Sequence, residues 1–115
     1  MNNLFGLKAD DLKRIISVLT RENEVDEAII FGSRAKGNYK PGSDLDMALK
    51  GEKLVEKNIT HVSYLLNEES GMPYKFDVLN FDTLTNSDLV EHINRMGIVI
   101  YTRIQNITLP ENKID

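Results

Sequence analysis

The sequence predicts an α+β domain: a small sheet of about four strands with helices packed on it. Two observations carry that reading. Apolar residues recur at helical spacing in three separate segments, and between them lie four short runs with strand character, bounded by glycine, proline or polar turns. The 115 residues suffice for one core, so a single domain is expected over 1–115, its core spanning about 8–103 and its last dozen residues, 104–115, forming a frayed polar tail.

The elements follow in order. Leu12, Ile15, Ile16 and Leu19 mark a first helix, with Asp10 or Asp11 favouring its N-terminus. Ala28-Ile29-Ile30-Phe31 reads as a buried strand, and Gly32-Ser33 falls where that strand turns. Past a Pro41-Gly42 turn, Asp44 to Leu49 alternates polar with apolar, the period of a half-buried strand, and Gly51 closes it. Val55, Ile59, Val62 and Leu66 mark a second long helix, stopped by Gly71 and Pro73. Tyr74 to Asn80 is the third strand. Ser87 to Met96 reads as a helix with Leu89, Val90, Ile93 and Met96 inward and Gly97 as its C-cap, leading into a strand from Ile98 to Tyr101.

Function concentrates in the fifteen residues GSRAKGNYKPGSDLD, from Gly32 to Asp46. Gly32 lacks a Cβ and lets backbone approach a ligand, while Ser33 offers a hydroxyl and an amide at the start of a following helix, which suits phosphate. Asp44 and Asp46 share one strand face about 6–7 Å apart, with Leu45, Met47 and Leu49 pointing to the core. Two acids so placed repel unless cations neutralise them, and hard oxygen ligands of this kind suit Mg²⁺ with substrate phosphate. Arg34, Lys36 and Lys40 make the loop between them basic. The implied chemistry is metal-assisted phosphoryl or nucleotidyl transfer. Taken singly, a glycine-serine turn or an Asp-x-Asp strand is commonly only structural; their spacing and matching contexts give the joint reading its weight.

A glycine-serine pair, ten residues and then Asp-x-Asp resembles the signature of the DNA polymerase β-like nucleotidyltransferases, and the short chain is similar to their minimal members, the MNT proteins, antitoxins paired with HEPN-domain toxins. The resemblance covers roughly Ala28 to Asn80. It implies a small mixed sheet with packed helices, and a third acid on a later strand, which Asp77 supplies. It further implies that Gly32 and Ser33 hold the β- and γ-phosphates of ATP and that Asp44 and Asp46 ligate two Mg²⁺ ions. Asp77 completes one metal site and helps deprotonate the attacking hydroxyl, and Arg34 stabilises charge on the triphosphate. The acceptor is then a tyrosine of a cognate HEPN toxin, which receives AMP. A non-catalytic antitoxin that only covers its partner, and a small-molecule nucleotidyltransferase, are the alternatives; the second is weakened by a chain too short for an added domain.

Composition narrows the field. A net charge of −4 suggests no groove for duplex nucleic acid. The chain has no cysteine, which excludes disulfides and thiolate metal sites. No stretch approaches a membrane span and Met1 to Gly6 carries no leader pattern, so a cytoplasmic location is expected. The oligomeric state, homo- or hetero-, is left open. His61 and His92, in predicted helices far from the aspartates in sequence, read as surface or packing residues, Tyr39 as a shield of the motif turn, and Asp82 as a turn residue.

Overall fold

The computed structural model describes residues 4–103; the expected tail at 104–115 lies outside them. Among the described residues, eight elements follow in order: α1 (Ala9–Arg21), β1 (Glu27–Phe31), α2 (Ser33–Lys36), β2 (Leu45–Lys50), α3 (Glu56–Tyr64), β3 (Phe76–Asn80), α4 (Ser87–Met96) and β4 (Ile98–Thr102). Short 3₁₀ turns at Leu4–Gly6 and Phe81–Thr83 and a π-helical turn at Leu65–Glu69 join them.

The strands form one sheet in the order β3-β2-β1-β4. It is mixed: β1 runs antiparallel to both β2 and β4, whereas β2 and β3 are parallel. Parallel neighbours need a crossover, and α3 supplies it. On one face Ile15 and Leu19 of α1 and Ile59, Val62 and Leu66 of the α3 segment bury Ala28, Ile30, Leu45, Met47, Leu49 and Val78. On the other face Ile93 of α4 closes over Ile29, Phe31 and Ala48. The Asp44–Leu49 strand expected to be half-buried is therefore covered on both faces along part of its length, and it begins one residue later, at Leu45.

Two helix expectations change in detail. Val55 is 54 % exposed and precedes α3 instead of packing beneath it. Its N–H donates to Asn58 Oδ1 at 2.9 Å, and the buried Asn58 amide in turn donates to Glu22 Oε2 and Glu24 Oε1. Met96 is 37 % exposed, so of the apolar residues expected inward on α4 only Ile93 is fully buried, with Leu89 and Val90 half-buried.

Gly97 does cap α4, its N–H donating to Ile93 O at 2.8 Å, but with extended backbone (φ −70°, ψ 152°) and not the left-handed turn expected of a glycine cap. Space explains the residue: a Cβ there would stand 2.5 Å from Ile29 Cγ2 and 2.5 Å from Ile93 O. At the far end of the sheet, the Arg103 guanidinium donates to the carbonyls of Leu19, Glu22 and Val25, satisfying the open C-terminal end of α1. No helix among the described residues is long and apolar enough to cross a membrane.

Candidate active site

The site forms where β1 and β2 end side by side. Phe31, the last residue of β1, is the register partner of Asp46 on β2. Gly32 then turns the chain with φ 77° and ψ −156°, a conformation closed to side-chain-bearing residues. The neighbour matters as much as the torsion, since a Cβ on Gly32 would lie 2.3 Å from Asp46 Oδ2. Only glycine lets the turn and that carboxylate occupy adjoining space. Ser33 opens α2, a single helical turn in which the amides of Lys36 and Gly37 donate to the carbonyls of Gly32 and Ser33.

Asp77 arrives from the other side. In the parallel pairing of β2 with β3 it stands opposite Asp46, on strands about 4.8 Å apart. Asp44 lies just ahead of β2, exposed in the loop and not on the strand as expected. The three acids are thus drawn to one end of the sheet from a loop and two neighbouring strands.

Their proximity has an electrostatic signature. Burial pushes the Asp46 carboxyl above the ordinary carboxylate range, the charges of Asp77 and Asp44 add to the push, and His92 opposes it. No described lysine or arginine forms an ion pair with any of the three. The cluster therefore favours an incoming cation. Among the described residues no three carboxylate or imidazole groups converge closely enough to hold a metal ion by themselves.

Arg34 departs from expectation. It is 3 % exposed, and its guanidinium is turned into the protein instead of presented to a triphosphate. Nε and Nη2 donate to Ser43 O at 3.2 and 3.0 Å, and Nη1 donates to Phe5 O at 2.9 Å. The rings of Tyr39 and Tyr74 flank it, each centroid 5.3 Å from Cζ. Tyr74 is anchored in turn, its hydroxyl donating to Asp11 Oδ2 at 2.7 Å; burial, and next that hydrogen bond, raise its pKa. Arg34 thus ties the motif turn to the residue immediately before Asp44. Tyr39 shields that turn as expected, and Lys36 and Lys40 are exposed.

The two histidines part company. His61 Nδ1 lies 2.8 Å from Glu22 Oε1, remote from the acids. His92, read from sequence as a packing residue, does pack edge-on against Phe31 with centroids 6.2 Å apart, yet it also lies close enough to Asp46 to affect its ionisation. Helical periodicity could not show this, because the neighbourhood depends on α4 folding back over β1. A wide groove of about 860 Å³, lined in part by Ile59, Ser63, Tyr64 and Tyr74, opens on the α3 side of the sheet, away from the face that carries Asp77.

Known proteins resemble this chain in sequence and in fold. The chain is 28 % identical over 104 residues, 90 % of both chains, to the Haemophilus influenzae protein named "Probable protein adenylyltransferase MntA". Its fold matches a chain of a toxin–antitoxin crystal structure with AMP-PNP at a TM-score of 0.67 and 18 % identity, over 83 % of this chain and 76 % of that one. It matches equally in kind a structure of tri-AMPylated Shewanella oneidensis HEPN toxin in complex with MNT antitoxin, at a TM-score of 0.61 and 16 % identity over 84 % and 73 % of the two chains. The family model described as Polymerase beta, Nucleotidyltransferase matches residues 13–106, and the chain belongs to that nucleotidyltransferase family.

Proposed function

We propose that this protein transfers AMP from ATP to a hydroxyl of a partner protein, a tyrosine of a cognate HEPN toxin, and so acts as the antitoxin of a pair in the cytoplasm. The observation that carries the reading is the juxtaposition of Asp46, Asp77 and the Gly32 turn: two carboxylates paired across neighbouring strands, neither in an ion pair with a described lysine or arginine, beside a turn that only glycine lets approach Asp46 so closely. The relative named as a protein adenylyltransferase and the likeness to an antitoxin bound to an AMPylated HEPN toxin support the acceptor class.

In this reading Gly32 and Ser33 would seat the β- and γ-phosphates, and Asp44, Asp46 and Asp77 would hold two Mg²⁺ ions. The metal supplies charge neutralisation and a clamp for an in-line displacement. Asp77, exposed on the outer strand of the sheet, stands where an acceptor hydroxyl can be met, and would accept its proton as the oxygen attacks the α-phosphorus. Pyrophosphate leaves. Arg34 acts on the site indirectly, by fixing the loop that carries Asp44.

Incubation of the chain with its toxin partner, ATP and Mg²⁺, followed by intact-mass analysis, tests the proposal. An AMP adduct on a toxin tyrosine, lost in the Asp44→Asn/Asp46→Asn double variant, is the expected result. Neutralisation of the toxin without any adduct would replace it with the covering antitoxin, and labelling of a small molecule in place of the toxin would replace it with the small-molecule transferase.

A further inference from the structure

α4 brings to the site a residue outside the glycine-serine and aspartate motif. The His92 ring lies half-buried, edge-on to Phe31. Phe31 immediately precedes Gly32 and pairs with Asp46. Strand order then sorts the surroundings of Asp46: β3 with Asp77 borders it on one side, and β1, with Phe31 beneath His92, borders it on the other. Gly32 and Ser33 continue from Phe31, so the phosphate seat and His92 share the flank remote from Asp77.

The imidazole is also free to act. His61 is held by Glu22, whereas His92 has no side-chain hydrogen-bond partner among the described residues. Arg34, the motif arginine, spends its donors on Ser43 and Phe5. Of the motif's other basic residues Lys36 and Lys40 are exposed, and His92 offers a further donor beside Phe31, at the base of the seat.

We propose that His92 is a substrate-binding residue that donates an imidazole N–H to the β- or γ-phosphate oxygens of the triphosphate, on the pyrophosphate side of the site. The assignment rests on the nucleotidyl-transfer reading above. While the acceptor oxygen bonds to the α-phosphorus and the bond from that phosphorus to the bridging oxygen breaks, His92 keeps its proton and orients the departing pyrophosphate. Either neutral or charged imidazole can donate in this way, so the role does not depend on its titration.

The test uses the purified full chain and three substitutions. His92→Phe and His92→Leu keep apolar cover on Phe31 without a donor, and His92→Gln restores a donor. Calorimetric titration with ATP and Mg²⁺ should show affinity about tenfold or more weaker in the Phe and Leu variants, the scale of one hydrogen bond to a charged group, and partly recovered in the Gln variant. Transfer kinetics should show KM rising more than kcat falls, and melting temperatures should stay near that of the parent. Unchanged affinity in a folded Phe or Leu variant overturns the proposal while leaving the transfer reading intact. So does unchanged affinity with a lower kcat, which would move His92 to the acceptor side. Failure of the parent chain to bind ATP with Mg²⁺ would overturn the transfer reading itself, and the role of His92 with it.

Discussion

Asp46 shows at the scale of one residue how a site can stand in conflict with the fold that holds it. Its pKa is raised above the usual 3.8 by burial first and by Asp77 and Asp44 next, so the native state holds its proton more tightly than the unfolded chain does. Below 3.8 both states are protonated and nothing is lost; as pH climbs towards the raised value stability falls, and above it the loss is constant. Asp46→Asn should therefore melt higher than the parent at neutral pH without metal, the gap closing as pH falls below 3.8. A gap independent of pH in calorimetric scans would show that the carboxylates do not strain one another. Arg34 illustrates the reverse, a charge absorbed by structure. Arg34→Met leaves the Ser43 and Phe5 carbonyls short of donors and should cost about 2–3 kcal/mol in urea unfolding. Loss of ATP affinity with stability unchanged would return Arg34 to the triphosphate. This burial is not legible along the chain, because part of what encloses the guanidinium, Phe5 and Tyr74, lies far from it in sequence.

At the scale of elements, legibility follows the range of the forces involved. Leu45, Met47 and Leu49 face the core as their alternation predicts, and Ser87 to Met96 is the helix its spacing predicts, because both patterns are local. The approach of Asp77 to Asp46 depends on the parallel pairing of β2 with β3 across the α3 crossover, which a single sequence suggests only through family resemblance. Val55 shows the limit of periodicity: it fits the helical pattern, but the helix starts at Glu56 and Asn58 takes the buried role. Gly97 was legible as a stop but not as a contact. Gly97→Ala should leave the helix propensity of α4 unharmed and still destabilise the protein by about 1–3 kcal/mol, because the new methyl drives into Ile29 and the Ile93 carbonyl. Thermal unfolding checks it. Stability equal to or above the parent would mean that α4 is not seated tightly on β1, and would loosen the placement of His92 as well.

At the scale of the whole molecule, the carboxylates stand at the end of a four-stranded sheet, with Asp77 exposed on its outer strand β3. In the proposed reaction the acceptor hydroxyl meets the carboxylates at that end of the sheet, on the exposed side of β3. ATP with Mg²⁺ should raise the melting temperature of the parent chain and not that of the Asp44→Asn/Asp46→Asn variant, since ligand that binds only the native state stabilises it by mass action. A thermal shift equal in both proteins would place the nucleotide elsewhere. Asp77 tests the division of labour more sharply. Gly32, Ser33, Asp44 and Asp46 remain to engage phosphate and metal when it is changed, so Asp77→Asn should keep most of the thermal response to ATP and all of its grip on the toxin. Transfer should fall by roughly 10²-fold or more, the scale of general-base contributions. In cells that co-express the toxin, the variant would form the complex yet leave the toxin unmodified, so protection should disappear once toxin exceeds antitoxin. Growth rescue at limiting antitoxin, read together with the mass of toxin separated from the complex, decides the matter. Full rescue without an AMP adduct would mean that covering the toxin is enough, and that the three acids, however crowded, serve something other than transfer to it.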